Sequence, residues 1–395
     1  MDTLAKKFSK KFTGVWGFMP NMVFGDSPII LMFILWGISA LLVSVCATYC
    51  TRQLMRRARI VDHPSGGRKH HTTPIPLGGG LACFVAFALV SFIAIAFIGE
   101  HEVVGKHLIG MTLGGLVLVI GGLIDDTYNL KPWHQCLFPF IAIAIVIASG
   151  IGLSAITNPF IDGLEGSEII KLAQMKFEIT RINGIPYYFT LPADSITFVW
   201  ILGMVYTTKF LDGVDGLVAG VTAIGAGFLV IVGLFLGQIT SPLLGIILLG
   251  VMLGFLVFNF SPASIFLGEG GSTWAGFMLA TLAILSEAKI AITLVVMGLA
   301  IIDVGVVIYK RLVKEKRSPF AGDRNHMHLR LLDMGFSAKR VSIVYYLFAL
   351  VLGTAGLMLR NVAWIWLVII VILVASVFVL FVHHASKRIT FPPSS

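Results

Sequence analysis

The chain has 395 residues, of which 57% are hydrophobic and only 12% are charged, and its mean hydropathy is +0.93. These values exclude an ordinary soluble domain, and the long uninterrupted apolar blocks exclude disorder, collagen and coiled coil. Most of the excess positive charge behind the formal net charge of +9 lies in two short stretches between apolar blocks. This distribution indicates the orientation of membrane spans and is not by itself a sign of a binding partner. The sequence predicts an all-α polytopic membrane protein, and we expect no nucleic-acid partner.

Eleven apolar runs approach the roughly 20 residues that a helix needs to cross a bilayer. A basic tail, 1–27, precedes the first run, which is too long for a signal peptide and has no cleavage site, so we expect a retained span. The predicted spans are 28–50, 77–99, 107–124, 135–155, 195–211, 214–237, 242–258, 272–286, 290–309, 341–360 and 362–383.

Two basic loops orient these spans. Loop 51–76 carries six Lys and Arg residues and loop 310–340 carries nine, and alternation from span to span puts both on one side. The positive-inside rule makes that side cytoplasmic, together with loops 125–134 and 259–271. The N-terminus is then outside and the C-terminus cytoplasmic. The four lysines of the N-terminal tail are the exception: either this short tail is translocated or one span is miscounted.

The longest outward segment, 156–194, has the pattern of a small β-hairpin. Two runs with aromatic and β-branched residues, 177–180 and 187–190, flank Asn183-Gly184, a pair typical of a type I′ turn. We therefore expect a small outward hairpin.

Acidic residues at the cytoplasmic ends of the spans are the first candidates for chemistry, because charges next to lipid are expensive. Asp125 and Asp126 end the third span. A single Asp there would mark the water interface, whereas two adjacent carboxylates repel each other and are better explained by a cation or a proton-transfer role.

Further acids occur in glycine-rich turns. Asp212 and Asp215 lie at the junction of the fifth and sixth spans, where the alternative is a turn with solvated acids. Glu269 precedes the eighth span in a turn whose N–H groups suit a phosphate, although such turns without ligands are at least as common. In loop 310–340, basic residues are also typical of a lipid anchor, and His326 and His328 alone are a weak zinc signal.

Together the acids indicate a hard-cation site. Oxygen ligands without cysteine favour Mg²⁺, or Mn²⁺, and such ions usually bridge substrate phosphates. Phosphoryl transfer needs little more than a metal, an in-line nucleophile and charge stabilisation. A membrane enzyme that moves a phosphorylated group onto a lipid explains all the cytoplasmic clusters at once.

The order and spacing of these motifs resemble the polyprenyl-phosphate N-acetylhexosamine-1-phosphate transferases of glycosyltransferase family 4. The similarity runs from about residue 50 to residue 340, and it is nearer to the bacterial UDP-GlcNAc:undecaprenyl-phosphate GlcNAc-1-phosphate transferases than to phospho-MurNAc-pentapeptide translocase. The motifs that carry it are TTPIPLGG at 72–79, IDD at 124–126, FLDGVDGL at 210–217, Asn259, FLGEGGS at 266–272, Asp303 and DRNHMH at 323–328.

The resemblance implies a reaction and residue roles. A UDP-N-acetylhexosamine and undecaprenyl phosphate would give undecaprenyl-pyrophosphoryl-sugar and UMP, with Mg²⁺, at the cytoplasmic face of the bacterial inner membrane. Asp125 would orient or deprotonate the lipid phosphate, and Asp126 would support the metal. Glu269 occupies the position of a magnesium ligand. The remaining implied site residues are Asp212 and Asp215 at the nucleotide, Asn259 and Phe266 near the uracil, and Lys69, Lys209, Arg324, His326 and His328 at phosphates or sugar.

The chain also departs from the family pattern. Glu269 replaces the usual Asp, Lys209 stands where Asn is usual, Leu329 replaces the last His of a His-x-His-His run, and Asn129 replaces an acid found in some members. Lys209 is placed to pair either with Glu269 or with a substrate phosphate. These changes indicate a different sugar or an impaired enzyme.

The resemblance sets the domain organisation and leaves alternatives open. We expect a catalytic membrane domain at 28–340 and two C-terminal spans with a short tail at 341–395. A membrane homodimer fits the family. One alternative is an inactive member that acts as a binding or assembly partner. Another is a transporter, although its acids should lie deep in the spans and its halves should repeat. The sugar and the polysaccharide pathway, whether lipopolysaccharide or another cell-wall polymer, stay open.

Overall fold

The computed structural model describes residues 27–64, 73–98, 102–153, 155–157, 169–182, 185–286, 290–316, 325–358 and 364–388. Several predicted features lie outside these residues: the four lysines of the N-terminal tail, Lys69, the turn Asn183–Gly184, and Arg324.

The described chain is mostly helical. The helices are α1 Ser27–Arg57, α2 Gly79–Ile98, α3 Glu102–Tyr128, α4 Pro132–Gln135, α5 Leu137–Ala148, α6 Ala193–Leu211, α7 Leu217–Phe235, α8 Thr240–Asn259, α9 Gly268–Leu285, α10 Ile290–Val296, α11 Gly298–Tyr309, α12 Met327–Asp333, α13 Ala338–Met358 and α14 Trp364–Arg388. A short π-helical turn, Lys310–Lys314, follows α11.

Six of the described helices (α1, α2, α3, α7, α8 and α13) are long and apolar enough to cross a membrane, and the pair α10 and α11 would add a seventh if it forms one span. The prediction of a mostly helical, polytopic membrane protein is therefore confirmed. The number eleven and the orientation of the spans stay predictions.

Two predicted spans have a different form in the structure. The helix α5, in the predicted span 135–155, has only 12 residues and ends at Ala148, because Gly150 adopts a positive φ of +91° that stops a helix. The predicted span 290–309 is divided into α10 and α11, which meet at an angle of 74°. Gly298 follows the break and lets Val371 of α14 approach closely, since a Cβ on Gly298 would lie 2.6 Å from that side chain.

Three short antiparallel strand pairs complete the fold. Strand β1, Val61–Asp62, pairs with β2, Ile75–Pro76, and β3, Ala155–Thr157, pairs with β4, Ile169–Lys171. Strand β5, Ala173–Ile182, pairs with β6, Ile185–Pro192, with Phe177 opposite Phe189. The predicted turn of this last pair and its outward position stay predictions.

Helix α9 is the centre of the bundle. It packs against α2, α3, α6, α7, α8 and α10, and nearly every residue after its first turn is buried, including Trp274 and Phe277. A helix that is apolar on all sides must be covered by other helices or by lipid, and for α9 the cover is other helices. Helix α1 is the opposite case: most of its apolar surface is exposed, and it packs on α2 and α8. The central position of α9 brings neighbouring segments of the chain close to its N-terminus.

Backbone hydrogen bonds join two of these segments. Phe266 donates to the Pro76 carbonyl at 2.9 Å, Gly79 donates to the Phe266 carbonyl at 2.9 Å, and Gly80 donates to the Leu267 carbonyl at 2.8 Å. The start of α2 and the start of α9 are thus held side by side. The C-terminal end of α3 and the α6–α7 junction reach the same end of the bundle.

Candidate active site

The last turn of α3 fixes Asp125. Its Oδ1 accepts hydrogen bonds from the Leu130 backbone N–H at 2.8 Å and from Gln135 Nε2 at 3.0 Å, and its Oδ2 lies 3.1 Å from the same amide nitrogen. The left-handed Asn129, with φ +50°, ends the helix and turns the chain back toward Asp125. Gln135 is a site residue that sequence reasoning missed, since one amide in an apolar run forms no motif.

Asp126 points toward the N-terminus of α9. Its Oδ1 accepts a hydrogen bond from the Glu269 N–H at 3.2 Å, which is one of the free donors at a helix start. Its Oδ2 is buried and has no hydrogen-bond partner among the described residues. Gly268, with φ +77°, makes room for this oxygen, because a Cβ there would lie 2.5 Å from it. The site therefore contains a buried carboxylate oxygen that is free to take a ligand.

Lys209, in the last turn of α6, connects Glu269 to Asp125 through Gln135. Its ammonium forms an ion pair with Glu269 Oε1 and donates a hydrogen bond to Gln135 Oε1 at 2.9 Å. The two side chains of the ion pair are only 15% and 20% exposed. Of the two roles that the sequence left open for Lys209, this structure has the pair with Glu269. The result is a continuous polar chain from Asp125 through Gln135 and Lys209 to Glu269.

The α6–α7 junction brings two more carboxylates to this end. Asp212 is exposed and lies within electrostatic reach of the Glu269, Asp126 and Asp215 carboxylates. Asp215 Oδ2 accepts a hydrogen bond from the Ala263 N–H at 3.0 Å. The junction therefore adds one carboxylate that is hydrogen-bonded to Ser272 and one that is tied to the segment before α9.

Asn259 has its side chain used inside the protein. Its Oδ1 accepts from the Gly216 N–H at 3.1 Å and its Nδ2 donates to the Ile265 carbonyl at 3.0 Å, and the residue is only 5% exposed. Gly216 has φ +75°, so the turn that Asn259 holds requires glycine. Phe266, also predicted near the nucleotide, is partly buried and joins the segment before α9 to β2.

His326 and His328 lie beneath the junction in a buried stack. Phe210, His326 and His328 stack with ring centroids 5.7 and 5.5 Å apart. Asp303 Oδ2 lies 3.3 Å from His326 Nδ1, and its Oδ1 accepts from the Met327 N–H at 2.8 Å. Burial lowers the pKa of His328 to about 4, although the Asp303 carboxylate acts in the opposite direction. Both imidazoles are thus packed inside the protein.

His328 supports the junction directly. Its Nε2 would lie only 2.7 Å from a Cβ on Gly213, so the ring lies against the backbone between Asp212 and Asp215. We infer that this stack sets the position of the junction.

A small cleft opens beside the polar chain. Its lining includes the polar residues Asp125, Gln135, Glu269 and Thr273 and the apolar residues Leu118 and Phe138. Among the described residues, no three His, Cys, Asp or Glu side chains form a ready metal-binding group. The Glu269 carboxylate instead contacts the Lys209 ammonium.

Comparison with known proteins gives a consistent result. The sequence profile of glycosyl transferase family 4 matches residues 108–287. A Bacillus subtilis protein named probable undecaprenyl-phosphate N-acetylglucosaminyl 1-phosphate transferase is 26% identical over 347 residues, which cover 86% of this chain and 88% of that protein. The decaprenyl-phosphate N-acetylglucosaminephosphotransferase of Mycobacterium tuberculosis is 27% identical over 342 residues, 79% of this chain and 78% of that protein.

A third relative belongs to another branch. The phospho-N-acetylmuramoyl-pentapeptide-transferase of Latilactobacillus sakei is 26% identical over 275 residues, which cover 63% of this chain and 83% of that protein. The two N-acetylglucosamine relatives thus match a larger share of this chain than this relative does.

Proposed function

We propose that this chain is a member of glycosyl transferase family 4, whose profile matches residues 108–287, and that it transfers an N-acetylhexosamine 1-phosphate from a UDP-sugar to undecaprenyl phosphate, with release of UMP. The observation that carries the proposal is the gathering of Asp125, Asp126, Asp212, Asp215 and Glu269 at one end of the bundle, around the N-terminus of α9. The two relatives are named as transferases of undecaprenyl phosphate and decaprenyl phosphate, and the lipid substrate in the proposal is taken from these names.

The proposed transfer is a single displacement at phosphorus. An oxygen of the lipid phosphate attacks the phosphorus that carries the sugar, a new P–O–P bond forms, and the bond to the UMP phosphate breaks. The lipid phosphate is already an anionic nucleophile, so a covalent enzyme intermediate is unnecessary. Asp125, whose position Leu130 and Gln135 fix, would orient this phosphate or take its proton at the edge of the cleft.

We propose Mg²⁺, with Mn²⁺ as a substitute, as the cofactor. The buried Asp126 Oδ2 that lacks a partner fits this hard cation, and the Asp212 carboxylate interacts electrostatically with Asp126. Glu269 fits as a ligand only when it is released from Lys209. When bound, the ion would neutralise the diphosphate of the donor. The residues themselves would hold the acceptor at Asp125 and keep the α6–α7 junction in place.

The donor would lie over the α6–α7 junction. In this proposal Asp212, Asp215 and Phe266 face the nucleotide, and Lys69 and Arg324, outside the described residues, approach its phosphates. Asn259, His326 and His328 would act as positioning residues, because their side chains are buried and held by other parts of the chain.

We further propose the setting of this reaction. The chain would lie in the bacterial inner membrane with eleven spans, its N-terminus outside and its active site at the cytoplasmic face, since both basic loops are on that side. A membrane homodimer is the proposed assembly. The product would begin a cell-envelope polysaccharide, either a lipopolysaccharide or another cell-wall polymer.

The experiment is UMP release by the purified full-length protein with undecaprenyl phosphate, Mg²⁺ and a panel of UDP-N-acetylhexosamines. We expect release that requires the lipid and the metal and that Asp126→Asn abolishes. The matched control is Glu178→Gln, which removes an exposed carboxylate on β5, outside the site, and should retain the wild-type rate. The sugar with the highest kcat/KM identifies the donor. No release with any sugar from folded protein would refute the proposal.

A further inference from the structure

The Lys209–Glu269 pair places a fixed positive charge inside a group of carboxylates. The Lys209 ammonium contacts Glu269 Oε1, donates to Gln135 Oε1 at 2.9 Å and lies 5.7 Å from the centre of the Tyr206 ring. An ammonium has three donors and prefers such a set of acceptors. A side chain that is 15% exposed and has this many partners is held in one position and is not a loose surface lysine.

The charges around this ammonium determine what it does. Gln135 hydrogen-bonds both Asp125 and Lys209. The Glu269 backbone N–H donates a hydrogen bond to Asp126 Oδ1 at 3.2 Å. Partly buried carboxylates this close together repel one another unless a cation lies among them. The ammonium supplies one such positive charge within the chain itself.

We propose that Lys209 is a built-in cation of the active site, which takes one of the places that a divalent ion would fill and thereby weakens the affinity of the site for such ions. The geometry requires a competition: Glu269 can give its carboxylate either to Lys209 or to a metal ion. A divalent ion bound at Glu269 would lie beside the ammonium unless Lys209 moved away, and like charges in contact repel strongly in a partly buried site. For catalysis, this inference rests on the proposed function; for metal binding, it stands alone.

The test is a titration of the purified full-length protein with Mn²⁺, in detergent and without substrates, in which electron paramagnetic resonance counts free and bound Mn²⁺. We expect Lys209→Met and Lys209→Gln to bind Mn²⁺ at least about tenfold more tightly than wild type, because one fixed charge has been removed from among the carboxylates. Lys131→Met, which removes an exposed lysine just before α4, should change the affinity by less than about twofold, since screening weakens exposed charges.

Thermal unfolding gives a second readout. Without metal, Lys209→Met should melt below wild type, since Glu269 keeps an uncompensated charge, and added Mn²⁺ should raise its melting temperature more than it raises that of wild type. The double variant Lys209→Met/Glu269→Gln should melt above Lys209→Met and lose the gain in Mn²⁺ affinity.

Two results would overturn the inference. One is a Lys209→Met or Lys209→Gln protein that binds Mn²⁺ no more tightly than wild type. The other is a double variant that keeps the full gain in affinity, because Glu269 would then not be the carboxylate that Lys209 occupies. Neither outcome depends on UMP release, so a failure of the proposed transferase activity and a failure of this inference are separately visible.

Discussion

Gly122 is the position where helix packing and the active site are most tightly coupled. It lies one turn before Asp126 on α3, and a Cβ there would be 2.0 Å from the Gly270 nitrogen and 2.1 Å from its Cα. These are backbone atoms of α9, so no side-chain rotation can relieve the clash. To reach a separation of 3.4 Å, the two helices would have to move apart by roughly 1.4 Å.

Gly122→Ala should therefore reduce activity more than stability. Overpacking a helix interface costs about 1–3 kcal/mol, and the better helix propensity of Ala returns up to about 1 kcal/mol of this. The separation carries Asp126 away from the Glu269 N–H, now at 3.2 Å, and a misplacement of about 1 Å at reacting groups lowers a rate by about 10²-fold. We expect a net destabilisation of about 1–2 kcal/mol and a loss of about 100-fold in kcat/KM.

The assays are UMP release and thermal unfolding of the purified protein. The matched control is Gly105→Ala, on the same helix, where a Cβ meets nothing within 4 Å. This control should be as stable as wild type or more stable by about 0.5–1 kcal/mol, and it should keep full activity. A Gly122→Ala protein as active and as stable as Gly105→Ala would refute the argument that α3 and α9 meet at this glycine.

Three further outcomes are expected. Asp126→Asn should lower UMP release by about 10²–10⁴-fold with little change in melting temperature; loss of folding instead would assign this residue to stability. Asn259→Ala should lower the stability by about 1–3 kcal/mol, because buried backbone groups at Gly216 and Ile265 lose their partner; an effect on KM alone would place Asn259 at the nucleotide. The pKa of His328 is lowered to about 4, so its neutral form stabilises the fold at neutral pH, and this stability is lost as the pH falls below about 6.5. Relative to His328→Gln, wild type should lose about 2 kcal/mol by pH 5; equal pH profiles would contradict this.

The six long apolar helices could be predicted because lipid imposes a simple rule on the sequence. Long apolar runs marked α1, α2, α3, α7, α8 and α13 correctly, since a spanning helix must be long and uncharged. The rule says less about short or bent helices. The end of α5 depends on the positive φ at Gly150, and the bend between α10 and α11 depends on packing against α14, which hydropathy does not record.

The acidic residues of the site were found from charge alone, because carboxylates at the ends of apolar runs are rare. Their partners were harder to find. Gln135 joins Lys209 across 74 positions in the chain, and a single amide in an apolar run has no distinguishing pattern. Two roles for Lys209 were compatible with the sequence, and only its contact with Glu269 in the structure separates them. The burial of His326 and His328 also depends on tertiary structure, because the same His-x-His pattern suits an exposed phosphate site.

Electrostatics explains why these features belong together. In the proposed reaction, two phosphorylated substrates approach one another and five carboxylates, and in a partly buried site such charges repel strongly. The N-terminus of α9 offers free N–H groups, one of which binds Asp126, and Lys209 adds a full positive charge beside Glu269. Lys209 and Glu269 therefore act as one neutral unit: removing either charge alone exposes the other inside the bundle, whereas replacing both together leaves the charge balance of the remaining carboxylates unchanged.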